Sequence, residues 1–278
     1  MKNFLSFLIR KMGYRVEKIR KHNKHTYSQM PSFFFNLDRS LKFEYGDEEY
    51  EQIKKIRRHS MVNYRNLATL YEHVIYLEKT GVEGALVECG VWKGGASALM
   101  ALANLKHSEE RRLIHLFDAF DNICEPDPNV DGMFIMDQVR EVTGNPSIEL
   151  KGRMKPIDGI YDKFGGPGTL EENKALFSSI GYPTSHLHFH KGWFQDTVKI
   201  ASSGINKIAL LRLDADLYHS TKICLENLYS KVVPNGIIII DDYGTYEGCR
   251  SATDEFRQDN KITNFLNYSD AECRYWIK

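Results

Sequence analysis

The feature that most constrains the fold is a repeated order of short apolar runs, turns and helix-like stretches after residue 84. The runs lie in GALVECG, RLIHLFDAF, HLHFHKGWF, KIALLRLDAD and GIIIIDDYG. Strands without a polar alternation are buried on both faces, and their alternation with helices predicts a parallel sheet covered by helices. The tail KITNFLNYSDAECRYWIK is typical of two antiparallel strands at the sheet edge. We therefore predict an α/β fold with a seven-stranded, mostly parallel sheet.

The same pattern of apolar runs and helical stretches divides the chain into regions. Residues 1–80 contain helical patterns only, and we predict a helical N-terminal extension that contributes to a lid. Residues 81–278 form the main domain, and the 278-residue chain with 42% hydrophobic content is long enough for one sizeable core. The segment 120–185 is too long for a plain connection, so we expect a substrate lid there.

Composition excludes several classes of function. The formal net charge is zero, which gives no reason to expect a nucleic-acid partner. The five cysteines are scattered and form no C-x-x-C pair, which argues for a reducing, cytoplasmic compartment and against a zinc site. No segment approaches the roughly 20 apolar residues that span a bilayer.

The first 25 residues, MKNFLSFLIRKMGYRVEKIRKHNKH, have the pattern of a short amphipathic helix with a basic tail. Two interpretations stay open. The helix packs on its own domain or on a second subunit, in line with the homo-oligomer that we expect, or it contacts a membrane surface as a peripheral anchor.

The turn after the first run, LVECGVWKGGAS, predicts a ligand site. Gly90 and Gly94 let the backbone approach a ligand at a helix N-terminus. The turn lacks the G-x-G-x-x-G of a dehydrogenase, and Glu88 before it suits a cationic ligand better than a pyrophosphate. S-adenosylmethionine, with a sulfonium and an ammonium group, fits this turn. The alternative is a purely structural turn in which Glu88 is paired elsewhere.

Two further strand ends are consistent with a nucleoside ligand. Asp118 ends the second run, where an acid can accept hydrogen bonds from ribose hydroxyls. Gly192 and Trp193 follow the third run, and the indole could stack on adenine. Asp118 would also fit a dinucleotide, and an aromatic residue can equally belong to the core.

Acidic side chains end the last two parallel runs, at Asp214 and at Asp241–Asp242. Ligands of open α/β sheets bind outside the carboxyl ends of the strands, so these carboxylates are expected to converge. Carboxylates held together repel one another, which favours a bound hard cation such as Mg²⁺. Asp216 is instead expected to cap the following helix, and His219 is expected to be partly exposed.

Four motifs together resemble the macrocin O-methyltransferase family: VECGVWKGGAS, GWFQDT, LRLDADLYHST and IIIDDYGTYEGCRSATDEF. The match runs from about Gly84 to Phe256. Ala215 and His219 stand where the family usually has glycine and glutamate. The resemblance implies a Rossmann-like class I methyltransferase fold, S-adenosylmethionine and Mg²⁺ as cofactors, and a hydroxyl of a sugar as the acceptor.

The resemblance also implies roles for individual residues. Asp214 would be a metal ligand and the general base, with Asp241 and Asp242 as the other metal ligands. The residues implied to bind the cofactor are Glu88, Gly90, Trp92, Gly94, Ala96, Ser97, Asp118, Gly192, Trp193 and Asp214.

The predicted function is therefore the methylation of a hydroxyl of a sugar or glycosylated metabolite, a small molecule or glycan. Two alternatives remain. The first is a metal-dependent O-methyltransferase that acts on a phenolic or catechol-like hydroxyl. The second is a nucleotide-binding module without catalytic activity, which the acids at Asp214, Asp241 and Asp242 argue against.

Overall fold

The computed structural model describes residues 47–278. The amphipathic pattern in residues 1–25 and most of the predicted N-terminal extension lie outside the described residues. Within residues 47–278, no helix has both the length and the apolar character needed to cross a bilayer.

A single seven-stranded sheet organises the chain, as the apolar runs predict. Its strands are β1 (Ala85–Cys89), β2 (Ile114–Asp118), β3 (Leu187–Lys191), β4 (Ile208–Leu213), β5 (Val232–Ile240), β6 (Asn267–Tyr268) and β7 (Arg274–Ile277). The order is β3-β2-β1-β4-β5-β7-β6. The first five strands are parallel, while β7 pairs antiparallel with both β5 and β6. The predicted antiparallel pair at the sheet edge is confirmed.

Eight α-helices accompany the sheet over the described residues. They are α1 (Asp47–Ile56), α2 (Tyr64–Thr80), α3 (Gly95–His107), α4 (Gly132–Thr143), α5 (Leu170–Ser179), α6 (Phe194–Ser202), α7 (Tyr218–Leu228) and α8 (Glu247–Asp259). Trp193 and Phe194, which the sequence groups with the third run, stand at the start of α6 rather than in β3.

Successive side chains of the central strands enter two separate cores, one on each face. Leu86 and Leu210 lie in the core that includes α2 and α3, whereas Val87 and Leu211 lie in the core with α6 and α7. This separation follows from the two-residue period of a strand. The apolar runs without polar alternation therefore mark strands covered on both sides.

Helix α2 belongs to the main core, although it precedes the boundary predicted at residue 80. Its buried side chains, Leu67 and Leu77 among them, pack in the same cluster as β1 and β4. The side chain of Asn63 caps its first turn by accepting a hydrogen bond from the backbone N–H of Asn66. Gly81, at φ 69°, ends the helix in the left-handed conformation that favours glycine.

The segment predicted as an insert has a small core of its own. Met136, Val139, Leu150, Ile157 and Ile160 are buried against one another. A bridge between Cys124 and Pro156 closes the loop around α4. The segment is thus a folded unit and not an extended loop.

Candidate active site

A cavity of about 900 Å³ opens at the carboxyl ends of the parallel strands. This is where ligands bind in open α/β sheets. Eight of the residues predicted to form a site line it: Gly90, Trp92, Asp118, Gly192, Trp193, Asp214, Asp241 and Asp242. The structure therefore brings together the ends of β1, β2, β3, β4 and β5.

Gly90 is needed because β1 and β4 come very close at their ends. Its φ is 88°, and a Cβ at this position would lie 1.7 Å from the carbonyl oxygen of Asp214. Any side chain would therefore push the β1 turn away from the β4 end. Glycine lets both segments approach the same region of the cavity.

Asp118 organises the turn after β1. Its Oδ2 accepts hydrogen bonds from the backbone N–H groups of Val91 (2.6 Å) and Trp92 (3.0 Å). Its Oδ1 accepts one from Phe120 at 2.6 Å. Burial raises the pKa of Asp118 to about 6, although these N–H donors oppose the shift. The acid predicted for ribose binding thus holds the turn after β1 in place through backbone hydrogen bonds.

Four residues assigned to the cofactor do not line the cavity: Glu88, Gly94, Ala96 and Ser97. Glu88 is 1% exposed, and its two carboxylate oxygens contact the Ser97 hydroxyl and the Arg212 guanidinium. Gly94 instead approaches Asn173, whose Oδ1 would lie 2.3 Å from an added Cβ. These contacts match the alternative interpretation of the turn, in which Glu88 is paired with other groups of the protein.

Arg212 lies directly below the site, and it was not among the residues predicted from the sequence. It is 2% exposed, and it faces Glu88 across the β1–β4 pair. Its Nη1 donates to Glu88 and, at 2.9 Å, to Oδ2 of Asp214. Its Nη2 lies 2.8 Å from Oδ1 of Asp241. One buried cation therefore contacts three carboxylates, a signal visible in the sequence only as an arginine within an apolar run.

The carboxylates that could share one cation are those of Asp214, Asp216 and Asp242, whose ligand atoms lie within 4.8 Å of one another. Asp214 and Asp242 were expected in this cluster. Asp241 was also expected, but its carboxylate lies against Arg212. Asp216 takes its place because a φ of 54° at this residue turns the chain sharply after β4.

The helix cap predicted for Asp216 is wrong. Helix α7 begins after Leu217 without a side-chain cap from its own flanking residue. The backbone N–H of Tyr218 donates instead to Oδ1 of Asp131, at 2.6 Å. Because Asp131 belongs to the inserted segment, the residue that satisfies this helix end could not be found from local sequence.

Burial and mutual repulsion disfavour the charged forms of the acids. Burial, followed by the negative charge of Asp214, raises the pKa of Asp216 to about 7. Burial also raises the pKa of Asp242 well above its usual range, with Asp216 and Asp214 adding to the effect. Burial raises the pKa of Asp241 to about 7, although Arg212 opposes the shift.

The donor set fits a hard divalent cation. It consists of carboxylate oxygens without a histidine or cysteine partner in the group, the chemistry that Mg²⁺ prefers. In addition, Oδ2 of Asp242 is buried and has no hydrogen-bond partner within the described part of the chain. A cation among these groups would satisfy that oxygen and relieve the repulsion.

The opposite wall of the cavity is apolar and comes largely from the insert. Ile135, Val139 and Val142 of α4 line it together with Ile160. The hydroxyl of Tyr246 donates to Oε1 of Gln138 at 2.7 Å, which joins this wall to the segment after β5. The cavity thus has carboxylates on one side and aliphatic side chains on the other.

Residues 164–166 of the insert form a clamp on the β1 turn. The indole N–H of Trp92 donates to the carbonyl of Gly166 at 3.2 Å. The Lys93 ammonium donates to the carbonyls of Phe164 and Gly165, at 3.1 and 3.0 Å. These contacts join the predicted lid to the predicted cofactor turn. The side chain of His219 is not part of them. It is 55% exposed and lies against Asp127.

Comparisons with known proteins identify the family. The macrocin-O-methyltransferase (TylF) family matches residues 16–144 and 169–278. An 8-demethyl-8-(2,3-dimethoxy-alpha-L-rhamnosyl)-tetracenomycin-C 4'-O-methyltransferase of Streptomyces olivaceus is 31% identical over 78% of this chain and 75% of the relative. A demethyldecarbamoylnovobiocin O-methyltransferase of Streptomyces niveus is 31% identical over 84% of each chain.

Solved structures agree with this result. The O-methyltransferase NovP superposes with a TM-score of 0.62 at 31% identity, over 79% of this chain and 82% of that one. The calicheamicin methyltransferase CalS11, at 19% identity and a TM-score of 0.52, shares the fold over 84% of this chain and 93% of its own. The fold is therefore that of the Rossmann-like class I methyltransferases, and the chain is an O-methyltransferase of the macrocin O-methyltransferase family.

Proposed function

We propose that this protein transfers the methyl group of S-adenosylmethionine to a hydroxyl of a neutral, glycosylated small molecule, with Mg²⁺ bound by the aspartate cluster. The observation that carries the proposal is the convergence of Asp214, Asp216 and Asp242 in the cavity that the β1 turn also lines. The family and the names of its relatives, which are sugar and glycoside O-methyltransferases, support it.

The cofactor is assigned to the half of the cavity nearest β1, β2 and β3. Gly90 and Trp92 would contact its methionine end, Asp118 its ribose hydroxyls, and Trp193 its adenine. All four line the cavity. Four residues behind the cavity wall would shape the turn without contacting the ligand. They are Glu88, Gly94, Ala96 and Ser97.

The reaction follows from the charges of the two substrates. Asp214, whose side chain is 30% exposed, takes the proton of the acceptor hydroxyl. The oxygen electron pair then forms a bond to the methyl carbon while the carbon–sulfur bond breaks and its electrons return to sulfur. The products are a methyl ether and S-adenosylhomocysteine.

Asp214 and Asp242 would hold the metal together with either Asp216 or Asp241. The described geometry favours Asp216 as the third ligand, since the carboxylate of Asp241 lies 2.8 Å from the Arg212 guanidinium. When bound, Mg²⁺ supplies charge stabilisation for a developing alkoxide. The apolar wall and the clamped insert exclude water, which strengthens these electrostatic effects.

The charge of the cavity favours a neutral acceptor. Eight acidic residues line it: Asp118, Asp121, Asp214, Asp216, Asp241, Asp242, Asp270 and Glu272. Among the described lining residues, Arg65 is the one with a cationic side chain. Because Arg65 alone among these lining residues could neutralise a diphosphate group, we propose an intact glycoside over a nucleotide-linked sugar. Met133 and Phe134 are 62% and 55% exposed next to the α4 wall. These two side chains would contact an apolar aglycone.

Calorimetry tests the two binding sites. We expect S-adenosylmethionine to bind while NAD does not, and Mg²⁺ to give a separate isotherm that disappears in Asp242→Asn. Asp216→Asn and Asp241→Asn, compared side by side, identify the third ligand by the larger loss of Mg²⁺ affinity. A preference for NAD would mean that the β1 turn has been misassigned.

An acceptor panel tests the substrate class. Each acceptor is incubated with S-adenosylmethionine and Mg²⁺, and S-adenosylhomocysteine is quantified. The panel contains neutral glycosides with aromatic or macrolide aglycones, the corresponding nucleoside diphosphate sugars, and a catechol. Turnover of the glycosides alone supports the proposal, whereas faster methylation of the nucleotide sugars or of the catechol would contradict the proposed acceptor.

A further inference from the structure

We propose that Arg212 is a positioning residue that couples the cofactor site to the metal site. The proposal rests on the function proposed above and extends it to a residue that contacts neither ligand. Arg212 does not line the cavity. It acts through the carboxylates of Glu88, Asp214 and Asp241, which come from the ends of three adjacent strands.

The geometry links Arg212 to carboxylates of both proposed ligand sites. Glu88 and Arg212 are directly paired across β1 and β4, and both are within 2% of complete burial. The three N–O contacts use two nitrogens of one planar guanidinium, so a movement of any one carboxylate changes the space available to the other two. Arginine suits this role because its donors form a rigid fork.

The charges around Arg212 do not balance. One cation faces three carboxylates, so the group carries an excess of negative charge in a buried place. If Asp214 turned toward the cavity to hold a metal, its bond to Arg212 would weaken, and the guanidinium would act more strongly on Glu88 and Asp241. Glu88 in turn bonds to Ser97 in the first turn of α3, beneath the cofactor turn.

The contacts of Arg212 differ from those of an arginine with a purely structural role. Arg112 shows what such a role looks like in the same domain. It bonds Glu78 at 2.7 Å and the backbone carbonyls of Gly84 and Val82 at 2.7 and 2.8 Å, away from the cavity. Within residues 47–278, the guanidinium of Arg212 instead contacts the acids of the two proposed ligand sites, which are Glu88, Asp214 and Asp241.

The test measures the coupling between two ligands. Titration calorimetry gives the Kd of S-adenosylhomocysteine without and with saturating Mn²⁺, and the ratio of the two Kd values is the coupling factor. In the wild type we expect a factor of about fivefold or more, the lower end of usual couplings between sites. In Arg212→Lys, which keeps the charge but loses the fork, we expect the factor to fall within about twofold of unity.

Arg112→Lys is the matched control, because it makes the same chemical change at a buried ion pair away from the cavity. It should lower stability and leave the coupling factor unchanged. If Arg212→Lys fails to fold, Glu88→Gln replaces it, since this variant removes one of the three charges while keeping the side-chain shape. We expect Glu88→Gln to reduce the factor as well.

The outcomes separate the two proposals. A wild-type protein that binds neither S-adenosylhomocysteine nor Mn²⁺ overturns the proposed function, and the role of Arg212 with it. A wild type that binds both, with a coupling factor retained in Arg212→Lys or in Glu88→Gln, overturns the role of Arg212 alone. A wild type that binds S-adenosylhomocysteine and Mn²⁺ without coupling between them also overturns the role of Arg212.

Discussion

At the residue scale, the contacts of Arg212 divide the aspartates at the β4 and β5 ends into two groups. Asp241 is held against the guanidinium, whereas Asp216 and Asp242 are free of it, and Asp214 belongs to both groups. Its Oδ2 is bonded to Arg212 while its side chain remains partly exposed to the cavity. Asp214 is therefore the residue whose removal should affect the reaction most directly.

Replacement of Asp214 by asparagine removes the proposed base and one metal charge while it preserves the side-chain shape. We expect kcat to fall by about 10²-fold or more, because general base catalysis contributes on that order. The Kd of S-adenosylmethionine should change by a smaller factor than kcat. The measurements are the initial rate of S-adenosylhomocysteine formation and a calorimetric titration. Asp121→Asn, at an exposed acid of the same cavity, is the control, and an unchanged kcat in Asp214→Asn would contradict the assignment.

Trp193 precedes α6 and lines the cavity beside Gly192. If its indole stacks on adenine, Trp193→Ala should weaken S-adenosylmethionine binding by about 1–3 kcal/mol, the usual contribution of base stacking. Trp193→Phe should retain most of the affinity. Equal affinities for the wild type and the alanine variant would assign Trp193 to packing instead.

At the element scale, the contact between the insert and the β1 turn depends on a close approach of two backbones. A Cβ on Gly168 would lie 1.9 Å from the carbonyl oxygen of Trp92. The side-chain amide of Asn173 donates to the same carbonyl at 2.8 Å. Glycine at position 168 therefore permits the clamp, and the helix after it supplies a hydrogen bond that holds it.

Gly168→Ala should open the clamp because backbone atoms cannot give way as a flexible side chain can. We expect faster proteolysis within residues 159–169 and weaker binding of S-adenosylmethionine, since Trp92 loses its support. Limited proteolysis with mass spectrometry locates the cut. Gly204→Ala is the control, because an added Cβ there would have an ordinary contact of 3.5 Å. Identical digestion of Gly168→Ala and wild type would show that the clamp tolerates the change.

Strands β2 and β3 carry a stack of histidines on the face that α6 covers. Nδ1 of His115 lies 3.0 Å from Nε2 of His190, and the His115 and His188 rings stack with centroids 4.6 Å apart. Burial, with the neighbouring histidines, lowers the pKa of His115 from 6.5 to about 3. Burial and His188 lower that of His190 to about 4. The folded protein thus keeps these rings neutral in mild acid.

These lowered pKa values predict a loss of stability in acid. Between pH 6.5 and about 4 the unfolded chain binds protons at His115 and His190 while the folded chain does not, so stability falls as pH falls. We expect the urea midpoint to decrease less over this range in the double variant His115→Phe/His190→Phe than in the wild type. Buried His73, whose pKa is also lowered to about 4 by burial, keeps part of the slope. His186→Gln, outside the stack, should match the wild type, and an equal slope in the double variant would refute the argument.

At the scale of the whole molecule, the sheet joins two cores and holds the excess negative charge at one of its ends. The covered strands pack their side chains into both cores, while the acids gather where the parallel strands end. Because the cluster Asp214, Asp216 and Asp242 is partly buried, a bound divalent cation should stabilise the folded state as a whole.

Mg²⁺ at about 100 times its Kd should add about 2.7 kcal/mol to the free energy of unfolding. For a domain of this size each kcal/mol raises Tm by about 2–4 °C. The comparison is a thermal melt in Mg²⁺ against one in a chelator. Asp242→Asn, which removes one ligand, should show a much smaller difference, and a wild-type Tm that is the same in both conditions would argue against a metal site.

The apolar runs predicted the strand core of the fold and the strand-end side of the cavity. Apolar runs without polar alternation specify strands buried on both faces, and each parallel run that ends in glycine or an acid delivers that residue to the same edge. Gly90, Asp118, Trp193 and Asp214 were therefore predicted from strand ends, and all four line the cavity. Local patterns carry this information because burial and turn chemistry act within a few residues along the chain.

Which acids can share a cation and which are paired with Arg212 depends on the tertiary structure. Glu88 and Asp241 follow the same strand-end rule, yet Arg212 on the middle strand engages both. Asp216 was assigned to a helix cap that Asp131, from the distant insert, provides instead. The physical reason is that a buried charge is satisfied by whichever partner lies nearest in space, and the order of strands across the sheet sets that partner.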